Sequence, residues 1–186
     1  MKDIPHIEPE TFIPEALIKW KGRSRRYHNK TVHFFIQDRK FEAVWTHHKS
    51  FDRTLKKYEA IITPDFSLYL DMPKPVQIWN TYRARWLGHY WQQQGLTVIP
   101  SVSWSDYESF EFCFSGLRGG VVALSTHLIR KHDTSFLHFL KGTDELITQI
   151  KPIRILCYGI RFQKELEGRY PDLFTFYPYQ WKDYVK

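Results

Sequence analysis

From residue 59 onward the hydrophobic positions fall into short unbroken runs, separated by longer stretches in which they recur every three or four residues. The runs are residues 59–62, 96–99, 121–124 and 153–158. LTVI, VVAL and IRILC among them hardly alternate with polar residues, the pattern of strands covered on both faces. Between the first two runs, residues 75–94 predict a long amphipathic helix, with Pro75 near its start and Gly95 just past its end. A short helix is predicted from Asp106, which can cap it, to about Phe114, and a longer one over residues 135–150. Strands alternating with helix-length segments predict an α/β fold: a mainly parallel sheet of about four βα units, as an open sheet or a partial barrel.

The first third of the chain reads differently. Residues 1–18, with Pro5, Pro9 and Pro14, predict an extended arm lying on the body. Residues 32–36 and 41–45 predict an N-terminal β-hairpin with 37–40 as its polar turn. Phe51, Leu55 and Tyr58 follow at helical intervals. A single domain is expected, with arm, basic segment and hairpin over 1–45 packed on an α/β body over 46–186. No repeat, low-complexity tract or linker interrupts it.

Composition narrows the class. At 186 residues, 42% hydrophobic and 25% charged, the chain is long and apolar enough to close a core. No stretch approaches the roughly 18 apolar residues of a membrane helix. The opening MKDIPHIEPE lacks the apolar run of a secretory signal, so a cytoplasmic location is expected. Cys113 and Cys157 lie in apolar segments as small hydrophobes, which agrees. No CxxC occurs, His47–His48 and His127–His132 miss the i, i+4 spacing of a helical zinc pair, and Gly116, Gly119 and Gly120 fit neither phosphate-binding motif. Neither metal nor cofactor is expected.

Charge changes the picture more. The net +7 is carried by residues 19–40, where Lys19, Lys21, Arg23, Arg25, Arg26, Lys30, Arg39 and Lys40 face the single acid Asp38; the rest of the chain sums to zero. Such a patch fits contact with DNA or RNA through Lys19, Lys21, Arg23, Arg25, Arg26 and Lys30, or else a solvated loop beneath acidic neighbours. Aromatic residues reach 17%. Trp79, Tyr82, Trp86 and Tyr90, at helical spacing, read first as the face of a helix covering a sheet, with a base-stacking platform as the alternative.

Parallel strands gather ligand chemistry beyond their carboxyl ends. Asp65 and Ser67 follow the first run, Ser103, Trp104 and Asp106 the second, Ser125 and Thr126 the third, and Tyr158 the fourth. Asp65 and Asp106 are the catalytic candidates and the others candidate ligand contacts, although Asp106 reads better as a helix cap. A buried Asp65 would need a partner, or its pKa would rise. Gln77, Asn80 and Arg83 form a row near the helix start, either a solvated edge or a ligand contact in which Arg83 pairs with Asp65 or with an anion.

The blocks PDFSLYLDMP (64–73), QIWNTYRARWLGHYWQQQG (77–95), VIPSVSW (98–104), SFEFCFSGL (109–117), VVALST (121–126) and ILCYG (155–159) resemble a bacterial, phage and plasmid family, domain of unknown function 4417. The likeness covers about residues 30–160 and leaves the basic cluster at 19–26 outside. It implies a mobile-element protein acting in a bacterial host cell and brings no catalytic residue with it. Ser105 stands where the resemblance leads one to expect Gly, which makes positive φ less accessible there. Three functions follow in order: nucleic-acid binding through the basic segment; a protein-binding inhibitor of a host factor; and a small hydrolase or transferase acting on a nucleotide- or sugar-like ligand at the strand rim, with Asp65 or Asp106 as base.

Overall fold

The computed structural model describes residues 3–21, 30–127, 129 and 134–180. Seven short strands run through them: β1 (Leu17–Lys19), β2 (Thr31–His33), β3 (Ala60–Ile62), β4 (Val98–Ile99), β5 (Val121–Ser125), β6 (Arg154–Tyr158) and β7 (Phe174–Tyr177). All pair in parallel and in chain order, as a sheet β1-β2-β3-β4 and a sheet β5-β6-β7. A parallel bridge between Ser101 and Ala123 links the two. There the Val102 N–H donates to the Ala123 carbonyl at 2.8 Å and the Ala123 N–H to that of Pro100 at 2.9 Å.

The sheets are open and do not close into a barrel. Even so, one buried apolar layer draws on six of the strands, from Leu17 of β1 to Tyr177 of β7, with Phe35 just beyond β2. Side chains also span the two outer edges. The Tyr177 hydroxyl donates to the Pro14 carbonyl at 2.6 Å and the Gln180 amide to that of Leu17 at 2.8 Å. Outside this layer pack α1 (Glu42–Thr46), α2 (Asp52–Leu55), α3 (Lys74–Gln93), α4 (Thr134–Ile150) and α5 (Gln163–Arg169). Among the described residues no helix is long and apolar enough to cross a membrane.

The α/β class and its parallel sheet are as the sequence predicts, and the four expected runs are strands β3 to β6. The N-terminal hairpin is not formed. Residues 31–33 pair with β1 on one side and β3 on the other, so β2 has no free edge to offer 41–45. That segment is helical instead, with Phe41 and Val44 turned inward one turn apart. The expected helix after Asp106 is a 3-10 turn, Tyr107–Glu111, with the predicted cap: Asp106 accepts from the Ser109 N–H at 3.0 Å.

The α3 C-terminus closes as a paired turn. Gly95 donates its N–H to the Gln92 carbonyl at 2.9 Å and Leu96 to that of Trp91 at 3.1 Å, which requires the positive φ of 77° at Gly95. A Cβ there would meet nothing within 4 Å, so only the backbone penalty would count. Gly95→Ala is therefore expected to cost about 1 kcal/mol in urea denaturation; an unchanged midpoint would contradict this cap.

Candidate functional site at the strand carboxyl ends

Just beyond β3, β4 and β5 lies a cleft of about 960 Å³. Its walls are the loop after β3 (Asp65 to Asp71), the loop after β4 (Val102 to Tyr107), Ser125 at the end of β5, and the first turns of α4, including Thr134, Ser135 and His138. Of the residues singled out from sequence, Asp65, Ser67, Ser103, Trp104, Asp106 and Ser125 meet here.

Asp65 lines the cleft. It also borders a void of about 10 Å³ shared with Arg85, Ser101 and Cys113, room for about one water. The residue as a whole is only half-buried, yet its carboxyl oxygen Oδ1 is shielded from solvent and accepts no hydrogen bond. Burial pushes its pKa from the usual 3.8 up to about 7; the Ser103 hydrogen bond opposes the rise, Asp38 adds to it, and Arg85 opposes it more weakly. A carboxyl near pH 7 both takes and gives a proton readily, the requirement for general acid or base work.

The surrounding groups are held by local bonding. Asp38 accepts from the Ser67 N–H at 3.1 Å and its hydroxyl at 2.8 Å, fixing the loop after β3. The Gln77 amide donates to the Met72 carbonyl at 2.9 Å, and its oxygen accepts from the Ser105 hydroxyl at 2.5 Å, joining that loop to the next. Asn80 donates to the Ser67 carbonyl at 2.7 Å. The Ser105 carbonyl accepts from the His138 ring, which ties in α4. Ser105 is not among the residues at positive φ, so the expected glycine would gain nothing there. Trp104 stacks on Phe139 with centroids 5.6 Å apart, and Gly142 makes room for it: a Cβ at 142 would lie 2.1 Å from the indole.

Several residues take other places. Gln77, Asn80 and Arg83 are buried, not a solvated edge. Arg83 does not pair with Asp65; it donates to Glu42 at 2.7 Å and Asn80 at 2.6 Å and lies 3.8 Å over the Phe66 ring. Tyr158 belongs to the inner layer, against His33 at 4.2 Å and Phe35 at 5.8 Å. Thr126 shares a hydrogen bond with the Tyr179 hydroxyl at 3.0 Å. Both leave the cleft because side chains alternate in direction along a strand and β6 turns Tyr158 inward. Lys21 and Lys30 are exposed and Lys19 is half-buried, whereas Arg23, Arg25 and Arg26 lie outside the described residues.

Sequence reasoning missed Arg85. Its guanidinium is buried and donates to the carbonyls of Cys113 at 2.7 Å, Ser101 at 3.0 Å and Ser115 at 3.1 Å. The sequence offers only its place among Ala84, Leu87 and Gly88 on the inward face of α3, not the three carbonyls that make a buried arginine tolerable. Cys113 and Cys157 are buried free thiols, each raised by burial to about 12, and so unreactive. Among the described residues no cluster of three metal-ligating side chains occurs.

The chain belongs to the family described as Domain of unknown function (DUF4417), whose model matches residues 1–177. The match is wider than residues 30–160 and takes in the basic cluster at 19–26. The chain is 40% identical over 162 residues to the Gene 1 protein of Mycobacterium phage L5, an alignment covering 84% of this chain and 71% of that protein. It is 39% identical over 165 residues to the Gene 1 protein of Mycobacterium phage D29, covering 84% and 60% respectively. No solved structure matches it.

Proposed function

We propose that this chain, a relative of phage proteins, takes a sugar- or nucleoside-like molecule into the strand-end cleft and that Asp65 exchanges a proton with it. The observation that carries the reading is the shielded Asp65 carboxyl, with one oxygen unsatisfied, in the wall of a large cleft at the carboxyl ends of three parallel strands. Ring-sized ligands rich in hydroxyls suit walls made of Ser67, Ser103, Ser125, Tyr69 and Trp104. Carboxylates line the cleft and, among the described residues, no Lys or Arg does, so an uncharged ligand fits better than a nucleotide. Arg83, spent on Glu42, is not available to fix a phosphate. Asp106, spent as a cap, leaves Asp65 as the acid–base group. The class of chemistry would be a hydrolase or transferase step.

A panel of monosaccharides and nucleosides screened by thermal shift tests this. At least one member is expected to raise the melting temperature of the native chain, and the response should fall by about tenfold or more in Asp65→Asn. If the panel leaves the native chain unmoved, or the response survives in Asp65→Asn, the cleft is not the site.

A second reading is nucleic-acid binding through Lys19, Lys21, Arg23, Arg25, Arg26 and Lys30, as a mobile-element protein. It is supported by the concentration of the whole net charge in residues 19–40 and by the exposure of Lys21 and Lys30 within that stretch.

A further inference from the structure

Of Trp79, Tyr82, Trp86 and Tyr90, expected from sequence to cover the sheet, Trp86 and Tyr90 pack at the margin of the core, and none of the four belongs to the buried face of α3. The inward face of α3 is Ala84, Leu87, Gly88 and Trp91, and the four rings lie on its flank, with Trp79 47% exposed and the others half-buried. They are joined there by Trp45 of α1 and by His48. Trp79 and Tyr82 stack at 5.5 Å, and Trp86 and Tyr90 at 5.3 Å. The Trp45 indole stands edge-on between the two pairs, 5.5 Å from Trp79 and 5.4 Å from Trp86. The result is an unbroken row of five rings, extended by His48 against Trp86 and Tyr90.

Cations neighbour this row along the chain. Arg39 and Lys40 precede α1, Lys49 follows His48, and Arg53 adjoins Asp52, which accepts from the Tyr90 hydroxyl at 2.7 Å; Lys56 and Lys57 continue beyond α2. All six are exposed and, among the described residues, none forms an ion pair. Residues 38–57 hold three acids, Asp38, Glu42 and Asp52, and each is already bonded to a side chain of the body.

We infer that this flank is a binding surface for single-stranded nucleic acid, with bases stacking at the exposed end of the ring row around Trp79 and phosphates running along the 39–57 cations. Exposed aromatic rings near exposed cations are what a strand with unpaired bases offers partners for; a duplex hides its base faces, and a purely apolar partner gains nothing from six cations without an ion pair among the described residues. The surface is separate from the cleft and does not depend on it. It is also distinct in sequence from the 19–30 segment.

The test is fluorescence anisotropy with the full chain and a labelled 16-nucleotide oligo(dT), with oligo(rU) and a duplex of equal length as comparators, at low and high salt. The single strands should bind more tightly than the duplex, and binding should weaken as salt rises. Trp79→Ala should weaken oligo(dT) binding by about tenfold, while Trp79→Phe keeps most of it and both variants remain folded by their cooperative melting. Lys49→Glu with Arg53→Glu should remove binding. Reversing Arg23, Arg25 and Arg26 instead should lower overall affinity yet preserve the preference for single strands, which separates this surface from the basic segment. No binding at low salt, equal affinity for duplex, or Trp79→Ala behaving as the native chain would overturn the inference.

Discussion

Asp65→Asn is expected to make the protein more stable at neutral pH, although it alters the centre of the candidate site. The carboxyl titrates near 7 in the folded chain and at about 3.8 when exposed, so the folded state holds its proton more tightly than the unfolded one. The stability this proton confers is fully present below about pH 4 and is lost as pH rises through 7, at about 1.4 kcal/mol per unit between the two values. Above pH 7 the native chain thus carries an ionised, poorly solvated carboxylate, a burden on the order of 4 kcal/mol. Asn cannot ionise, though its amide still needs partners, so a gain of about 2 kcal/mol at pH 8 is expected, which raises the melting temperature by roughly 4–8 °C in a chain of this size. Below pH 4 the two proteins should converge. The measurement is the difference between native and variant melting temperatures from pH 4 to 8, which cancels the slopes of other groups. A variant less stable than the native chain at pH 8 would mark Asp65 as a structural residue and remove the case for a residue kept for function at a cost in stability.

How much of this was legible follows from how strongly each pattern was over-determined. The runs 121–124 and 153–158 are long and apolar enough to be strands in any context, and the strands β5 and β6 are there. Leu17–Lys19 and Phe174–Tyr177 are three and four residues long, with a charged or polar neighbour in each, and only their pairing partners make them strands. The misread hairpin has a specific cause. In FEAVW, positions 41, 43 and 45 are apolar, as a strand requires, and so are 41, 44 and 45, as a helix requires. Five residues cannot separate the two periods; the occupied edges of β2 do.

The site was legible only in part for a similar reason. Spacing brings Asp65, Ser103 and Ser125 to one rim because each lies at or just beyond the carboxyl end of a strand of the same direction. It does not say which way the last residue of a strand faces, and Tyr158 faces inward. Likewise α3 has two apolar faces, one at 84, 87 and 91 and one at 79, 82, 86 and 90. Periodicity finds both without saying which meets the sheet. Arg85 was hidden by its own type, since an arginine is assumed to be solvated unless three carbonyls converge on it, and that convergence is a property of the folded loops alone.

Arg85 is where substitution should cost most. Its guanidinium satisfies three carbonyls, of Ser101, Cys113 and Ser115, which lie in two different loops, and only 2% of the residue is exposed. Arg85→Ala leaves those acceptors without a donor and opens a void beside Asp65, a loss of about 3–5 kcal/mol and a large share of the 5–15 kcal/mol that holds a typical domain. Filling the volume should not rescue it. Arg85→Met restores packing but no donors, and where a buried ion pair alone can be replaced by an apolar group at little cost, three orphaned carbonyls cannot. Arg85→Lys keeps a charge, yet a single ammonium cannot reproduce a planar fork with three separate bonds, so it should fall between native and Met. The expected order in urea denaturation is native, Lys, Met, Ala. Charge adds a second signature, because Arg85 also favours the ionised form of Asp65. Removing it in the Asp65→Asn background should cost less than removing it from the native chain, and the difference is the coupling between the two side chains. If Arg85→Met unfolds at the native urea concentration, the three bonds carry no net stability and the loops around the cleft are held by something else.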